Sequence, residues 1–128
     1  MNLNQITLPV KNIEEAVFFY LKLGFIQIVD SEYYARFKCP EGDASFSLML
    51  DMKNYSNGSV IYFENEKLDE WVANLISMGI VFDQLPRNET YLWREAILRD
   101  PSGNKIKLYW AGANRLMPPW VINKKIGD

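Results

Sequence analysis

Apolar positions take up a helical spacing twice along this chain, and each time three short stretches with strand-like alternation follow. Over residues 12–24 (NIEEAVFFYLKLG), Ile13, Ala16, Val17, Tyr20 and Leu21 share one face of a 3.6-residue period, which predicts an amphipathic helix. Asn12 stands at its N-cap with Glu15 three positions on, the capping-box arrangement, and Gly24 suits the left-handed residue that ends a helix. Residues 5–10 form a β-rich run ahead of the helix, and residues 25–29, 32–38 and 45–50 are strand candidates behind it. The last two are separated by the turn Pro40-Glu41-Gly42-Asp43. After a polar stretch at 53–58 (KNYSNG), the order begins again with a strand at 59–64. A helix follows at 66–79, which buries Leu68, Trp71, Val72, Leu75 and Ile76 and stops at Gly79, and then come strands at 80–82, 91–98 and 105–110.

Laid on each other, the two halves match Ile13 with Leu68, Val17 with Val72, Tyr20 with Leu75 and Gly24 with Gly79. A repeated βαβββ unit accounts for this, because one such unit has a sheet whose open face needs a partner. The predicted fold is α+β: two tandem βαβββ modules forming a curved mixed sheet around a cleft. Residues 1–128 are read as one domain, with module one at about 3–51, module two at about 59–110 and a C-terminal tail at 111–128.

Composition narrows the function classes. At 128 residues the chain is long enough for one sizeable core, and 48% hydrophobic with 23% charged residues is the profile of an ordinary globular protein. A net charge of -2 and a pI near 5.2 give no general attraction to nucleic acid or anionic membranes. No apolar run approaches the roughly 18 to 20 residues that span a bilayer, and residues 1–8 lack a signal-like pattern, so the expected location is the cytoplasm. Cys39 is the only cysteine and has no intramolecular disulfide partner. The chain has no histidine at all, which removes serine-histidine and cysteine-histidine nucleophiles and the commonest metal ligand. Glu14 and Glu15 are read as favouring the helix dipole rather than as a catalytic pair.

The segments ITLPVKNIEEAVFFYLKLGF, DEWVANLISMGI and REAILRDPSGNKIKLY resemble the vicinal oxygen chelate superfamily, which includes glyoxalase I, extradiol dioxygenases, fosfomycin-resistance enzymes and bleomycin-resistance proteins. The DPSGN turn between two strands is the most specific part. In metal-dependent members, four side chains near the strand centres hold a divalent cation. Carried over, the resemblance puts these positions on Gln5, Ser47, Ser59 and Lys107, with Met49 as the alternative to Ser47 because the hairpin lengths differ by one. None of these is a strong ligand for a borderline divalent metal, and an ammonium at Lys107 would repel one by several kcal/mol at a partly buried dielectric. Asp51, Glu64 and Glu95 are the nearby carboxylates that a different alignment would bring in, although a slip of one turns a strand side chain to the opposite face. The resemblance thus implies a member without the metal and without another cofactor.

What remains in the expected cleft is aromatic and charged. Tyr33, Phe37, Tyr62, Trp93 and Tyr109 are candidate ligand contacts, against the alternative of simple core packing. Lys107 is a candidate anchor for an anionic ligand group, a candidate catalytic base or Schiff-base amine, or half of an ion pair with Glu95 or Glu64. Arg36, Arg94 and Glu95 also lie on strands, and only one of Arg94 and Glu95 can face inward. Pro118-Pro119-Trp120 in the tail reads as a flap over the cleft, a clasp on a second subunit, or a tail packed on its own sheet. The leading expectation is a metal-independent small-molecule-binding protein of the glyoxalase and bleomycin-resistance type, with sequestration of a drug or metabolite as its role. A glyoxalase-like lyase or isomerase and a regulatory module whose cleft takes a partner's tail are the alternatives. The resemblance also implies a homodimer.

Overall fold

A computed structural model describes residues 1–53 and 57–127, so residues 54–56 of the polar stretch lie outside the described residues. The first module runs β1 (Gln5–Val10), α1 (Ile13–Leu23), β2 (Ile26–Asp30), β3 (Tyr34–Lys38) and β4 (Ser45–Leu50). The second repeats it as β5 (Val60–Glu64), α2 (Leu68–Ser77), β6 (Gln84–Asn88), β7 (Arg94–Arg99) and β8 (Lys105–Trp110), followed by a 3-10 turn at Gly112–Asn114. Each module is a four-stranded mixed sheet, in the orders β1-β4-β3-β2 and β5-β8-β7-β6, with the first strand of each parallel to the last. The fold is α+β with tandem βαβββ modules.

Local chemistry sets the helix ends. The Asn12 side chain accepts a hydrogen bond from the Glu15 N–H at 2.9 Å, and Gly24 closes α1 at φ 106°. α2 starts without a side-chain cap at Lys67, and the left-handed turn after it falls on Gly79 at φ 89°. α1 buries Ala16, Phe19, Tyr20 and Leu23, while Leu21, assigned above to the apolar face, is 44% exposed.

Two strands differ from the sequence reading. The apolar residues at 80–82 form no strand; Ile80 and Phe82 pack against the core as a connector, and β6 begins at Gln84. β6 contains Pro86, lies at the sheet edge and breaks register with β7 between Gln84 and Arg87. An edge or a bulge is where a residue without an N–H can be accommodated. β7 starts at Arg94 rather than Tyr91, because residues 90–92 form the hairpin loop: the Glu89 N–H donates to the Trp93 carbonyl at 2.8 Å, and Leu92 takes φ 68°.

One continuous cluster of buried side chains draws on both modules. Phe63 of β5 reaches Phe25 at 4.4 Å and Phe46 at 5.4 Å between ring centroids, so the second module's first strand packs into the first module's core. Polar groups fasten the same junction. In the β7–β8 turn, Asp100 accepts hydrogen bonds from its own turn at the Ser102 and Asn104 N–H groups and from the Tyr20 hydroxyl of α1 at 2.8 Å. The Asn104 amide donates to the Pro9 carbonyl at 2.8 Å, and Ser102 Oγ accepts the Lys11 N–H at 2.8 Å. Trp71 Nε1 of α2 donates to the Leu23 carbonyl at the end of α1, at 3.1 Å.

Candidate functional site

Alternation along each strand sends one row of side chains to the helices and leaves the other on the open sheet face. In the first module Leu8, Phe46, Leu48, Ala35 and Phe37 take the core row. The opposite row holds Gln5, Ser45, Ser47, Tyr34 and Arg36, joined in a hydrogen-bonded chain. The Gln5 amide donates to Ser47 Oγ at 2.7 Å, and Ser45 donates to Gln5 Oε1. Tyr34 Oη lies 2.5 Å from Ser47 Oγ and accepts from Arg36 Nε at 3.0 Å and Nη2 at 2.8 Å.

In the second module the equivalent row is charged and aromatic. Lys107 Nζ bonds Glu95 Oε1 at 3.1 Å, and the Tyr91 hydroxyl donates to the same oxygen. Glu95 is 2% exposed, and its other oxygen is buried with no hydrogen-bond partner. Burial works against the Lys107 ammonium, but the hydrogen bond and charge of Glu95 outweigh it and hold the amine above the ordinary lysine range. That is the opposite of what a Schiff-base amine requires. Beside this pair Trp93 stacks on Tyr109 at 4.7 Å and 18°, and Tyr62 meets both edge-on at 6.0 and 5.7 Å. Lys107 sits over the Tyr62 ring at 5.5 Å. The residues after β8 are tied to this platform: Glu64 accepts the Ala111 and Gly112 N–H groups at 3.0 and 3.1 Å, and Trp93 Nε1 donates to the Asn114 carbonyl at 3.3 Å.

Tyr62 also lies at the meeting point of two clefts along β5. One, of about 390 Å³, runs between β5 and the starts of β1 and β4, past Gln5 and Ser45. The other, of about 330 Å³, runs between the end of β5, Trp71 and the β3–β4 turn. Cys39 borders both, and burial pushes its thiol up.

The positions that the resemblance gives to metal ligands do not fit a cation. Sheet register pairs Gln5 with Ser45 and Val60 with Lys105, so Val60, rather than Ser59, is the counterpart of Gln5. Ser59 precedes β5 by one residue. Ser47, opposite Thr7, and Lys107, opposite Tyr62, are counterparts as the alignment has them. An amide, a hydroxyl, an isopropyl and an ammonium make a poor donor set for a divalent metal. Among the described residues no three His, Cys, Asp or Glu side chains group closely enough to hold one. Met49 is half exposed on β4, Asp51 accepts the Lys53 N–H beyond its end, and Glu64 holds the tail.

Of the expected ligand contacts, Tyr62, Trp93, Lys107 and Tyr109 come together. Phe37 does not: it is fully buried and stacks on Phe46 at 5.3 Å in the core row, so it is a packing residue. Tyr33 lies in the β2–β3 turn at 62% exposure, away from both clefts. Arg94 turns to α2 and pairs with Asp69, which leaves Glu95 as the inward member. Tyr34 and Tyr91 were not singled out from sequence. The parity of Arg36 would have found Tyr34, whereas Tyr91 required the hairpin loop to be placed correctly. In the tail, Trp120 is 57% exposed.

The family model described as Glyoxalase/Bleomycin resistance protein/Dioxygenase superfamily matches residues 2–108. Among solved structures, a lactoylglutathione lyase from Agrobacterium tumefaciens superposes with a TM-score of 0.72 at 17% identity, covering 85% of this chain and 92% of that one. A superfamily member from Sphaerobacter thermophilus DSM 20745 gives 0.73 at 22% identity over 86% and 97%. A putative glyoxalase family protein from Bacillus anthracis gives 0.72 at 21% over 87% and 95%. At these identities the structures speak for the fold alone. No curated protein matches the chain.

Proposed function

The chain belongs to the glyoxalase, bleomycin resistance protein and dioxygenase superfamily, and from that premise we propose that it is a metal-independent small-molecule-binding protein. The observation that carries this reading is the Tyr62, Trp93 and Tyr109 platform beside the Lys107–Glu95 pair, standing where a metal-dependent relative would place a ligand carboxylate. Such a surface suits a planar or amphipathic ligand, which stacks on the rings and meets a few polar groups at its edge. Lys107 supplies a cation for an anionic substituent. The unpartnered Glu95 oxygen supplies an acceptor for a ligand N–H or O–H. Sequestration of a drug or metabolite follows from binding without turnover. In this reading the protein works as a cytoplasmic homodimer; the single free thiol suits a reducing compartment, and the exposed apolar tail residues suit a subunit contact.

The test begins with elemental analysis of protein purified without chelator, followed by thermal-shift screens. The expected result is no stoichiometric metal, little response to zinc, manganese or magnesium, and stabilisation by planar aromatic acids. One tightly held metal per chain, with a large stabilisation on its return, overturns the reading. Lys107→Met then separates roles for any ligand found: weaker binding marks an anchor, and unchanged binding marks a residue that serves the ion pair alone. Loss of a measurable turnover would move the protein to the lyase or isomerase reading.

A further inference from the structure

The polar stretch between the modules runs into Asn57-Gly58, and no other asparagine in the chain is followed by glycine. The pairing has a chemistry of its own. The backbone nitrogen after an asparagine can attack the side-chain amide carbon and close a five-membered ring, and glycine, with no Cβ, lets the chain bend into that approach. Gly58 is exposed, has open space where a Cβ would stand, and among the described residues no group accepts its N–H. Its nitrogen is open to solvent base.

The partners of Asn57 favour the attack and give it a consequence. Asn57 Oδ1 accepts the Ser59 N–H at 3.0 Å, an Asx turn in which the side chain bridges the Gly58 peptide. That N–H points at the oxygen on which charge builds as the nitrogen adds to Cγ, so it stabilises the addition. On its other side Asn57 Nδ2 donates to Asn104 Oδ1 at 2.9 Å, which ties the stretch to the β7–β8 turn. Asn104 is buried, and its own Nδ2 donates to the Pro9 carbonyl and to Asp100 Oδ2, both at 2.8 Å. It cannot turn its amide over to face position 57 with an N–H unless it gives up both bonds.

We propose that Asn57 is a spontaneous modification site, converting to aspartate and isoaspartate, and that the conversion loosens the tie between the inter-module stretch and the β7–β8 turn. In the first step the Gly58 nitrogen loses its proton to solvent base and bonds to Asn57 Cγ. The Cγ–Nδ2 bond breaks, and Nδ2 leaves as ammonia with a proton from solvent, which leaves a succinimide. Water then adds to one of the two ring carbonyls, the bond from that carbon to the Gly58 nitrogen breaks, and the nitrogen regains a proton. Opening at Cγ gives aspartate, and opening at the main-chain carbonyl gives isoaspartate, whose backbone runs through the former side chain. The sum is amide plus water to carboxylate plus ammonium, with no oxidant or reductant. Either product removes the Nδ2 donor and adds a negative charge, so the buried Asn104 Oδ1 loses its partner.

Incubation of the full chain in mildly alkaline buffer, followed by ion exchange and peptide mapping, tests it. An acidic form should accumulate over days, with its new charge at residue 57 as a mixture of aspartate and isoaspartate. Gly58→Ala, at a position with room for a Cβ and no left-handed φ, should fold normally and slow that form severalfold. Asn57→Gln should suppress it, since the ring would have to be six-membered. Asn57→Asp should unfold at a lower urea concentration than the wild type, and the purified acidic form should do the same. The modification site is overturned if no acidic form appears, if its charge maps to another asparagine, or if Gly58→Ala forms it as fast. An Asn57→Asp midpoint equal to that of the wild type overturns the loosening of the turn.

Discussion

Phe37 and Tyr34 stand three residues apart on β3 and do different work, because an odd separation along a strand turns two side chains to opposite faces. Phe37 fills the space between Tyr20 and Phe46. Phe37→Ala should therefore cost about 3–5 kcal/mol in urea denaturation while leaving ligand-induced stabilisation of the folded variant intact. Lys107 has the opposite balance. Lys107→Met strands the buried Glu95 carboxylate, and the denaturation midpoint should fall by the equivalent of about 3 kcal/mol; adding Glu95→Leu should recover most of that loss. Leu92 shows a different economy. It holds φ 68°, a region that costs a non-glycine residue about 1 kcal/mol or more, and by doing so it turns the chain between Tyr91 and Trp93. Leu92→Gly should raise the denaturation midpoint by up to about 1 kcal/mol, whereas the β-branched Leu92→Val should lower it.

At the scale of elements, the β7–β8 turn carries the strongest family resemblance and turns out to be a structural latch. Asp100 and Asn104 are both nearly fully buried, and their hydrogen bonds run to α1 and β1. Asp100→Ala removes the acceptor for four donors: the Tyr20 hydroxyl, the Asn104 amide and two backbone N–H groups. A loss of about 3 kcal/mol or more is expected, read as an earlier midpoint in urea, because the donors left behind are buried. The helices, β4 and β8 were legible in sequence because most of their periodic apolar positions are the ones that pack, although Leu21 and Ile76, read as buried, are 44% and 47% exposed and α2 has no side-chain cap. β6 was not: the apolar residues at 80–82 predict a strand that does not form, and residues 84–88 carry no strand pattern of their own. Edge position and bulge, which make Pro86 acceptable there, are properties of the sheet and leave no local mark.

For the whole molecule, the two-module plan was readable from the helix registers, while the site was readable only in part. Tyr62, Trp93, Lys107 and Tyr109 come together because they alternate correctly on or beside strands. Phe37 and Ser59 misled, since a one-residue error in strand parity exchanges core for cleft. The same burial shapes the response to pH. Tyr20 is raised far above its ordinary value of 10.0, first by burial and then by the Asp100 charge; burial also raises Tyr91 and Tyr109, and Glu95 raises Lys107 against burial. Each folded-state group binds its proton more tightly than the unfolded chain does. Their stabilisation is therefore complete below about pH 10 and is lost as pH rises beyond it toward the folded-state values. Thermal melts from about pH 8 to about pH 11 should show a fall confined to the alkaline end, shallower in Tyr20→Phe.

The latch has a temporal consequence. Its bonds join residues 80, 91 and 95 positions apart in the chain, and all three depend on the last hairpin. Contacts of such long sequence separation form late in folding, and domains assemble progressively as a chain is synthesised. Until that turn is made, the Pro9 carbonyl and the Tyr20 hydroxyl lack their native partners. The first module is completed only when Asp100 to Asn104 is in place, so a later segment of the chain decides when an earlier one becomes native.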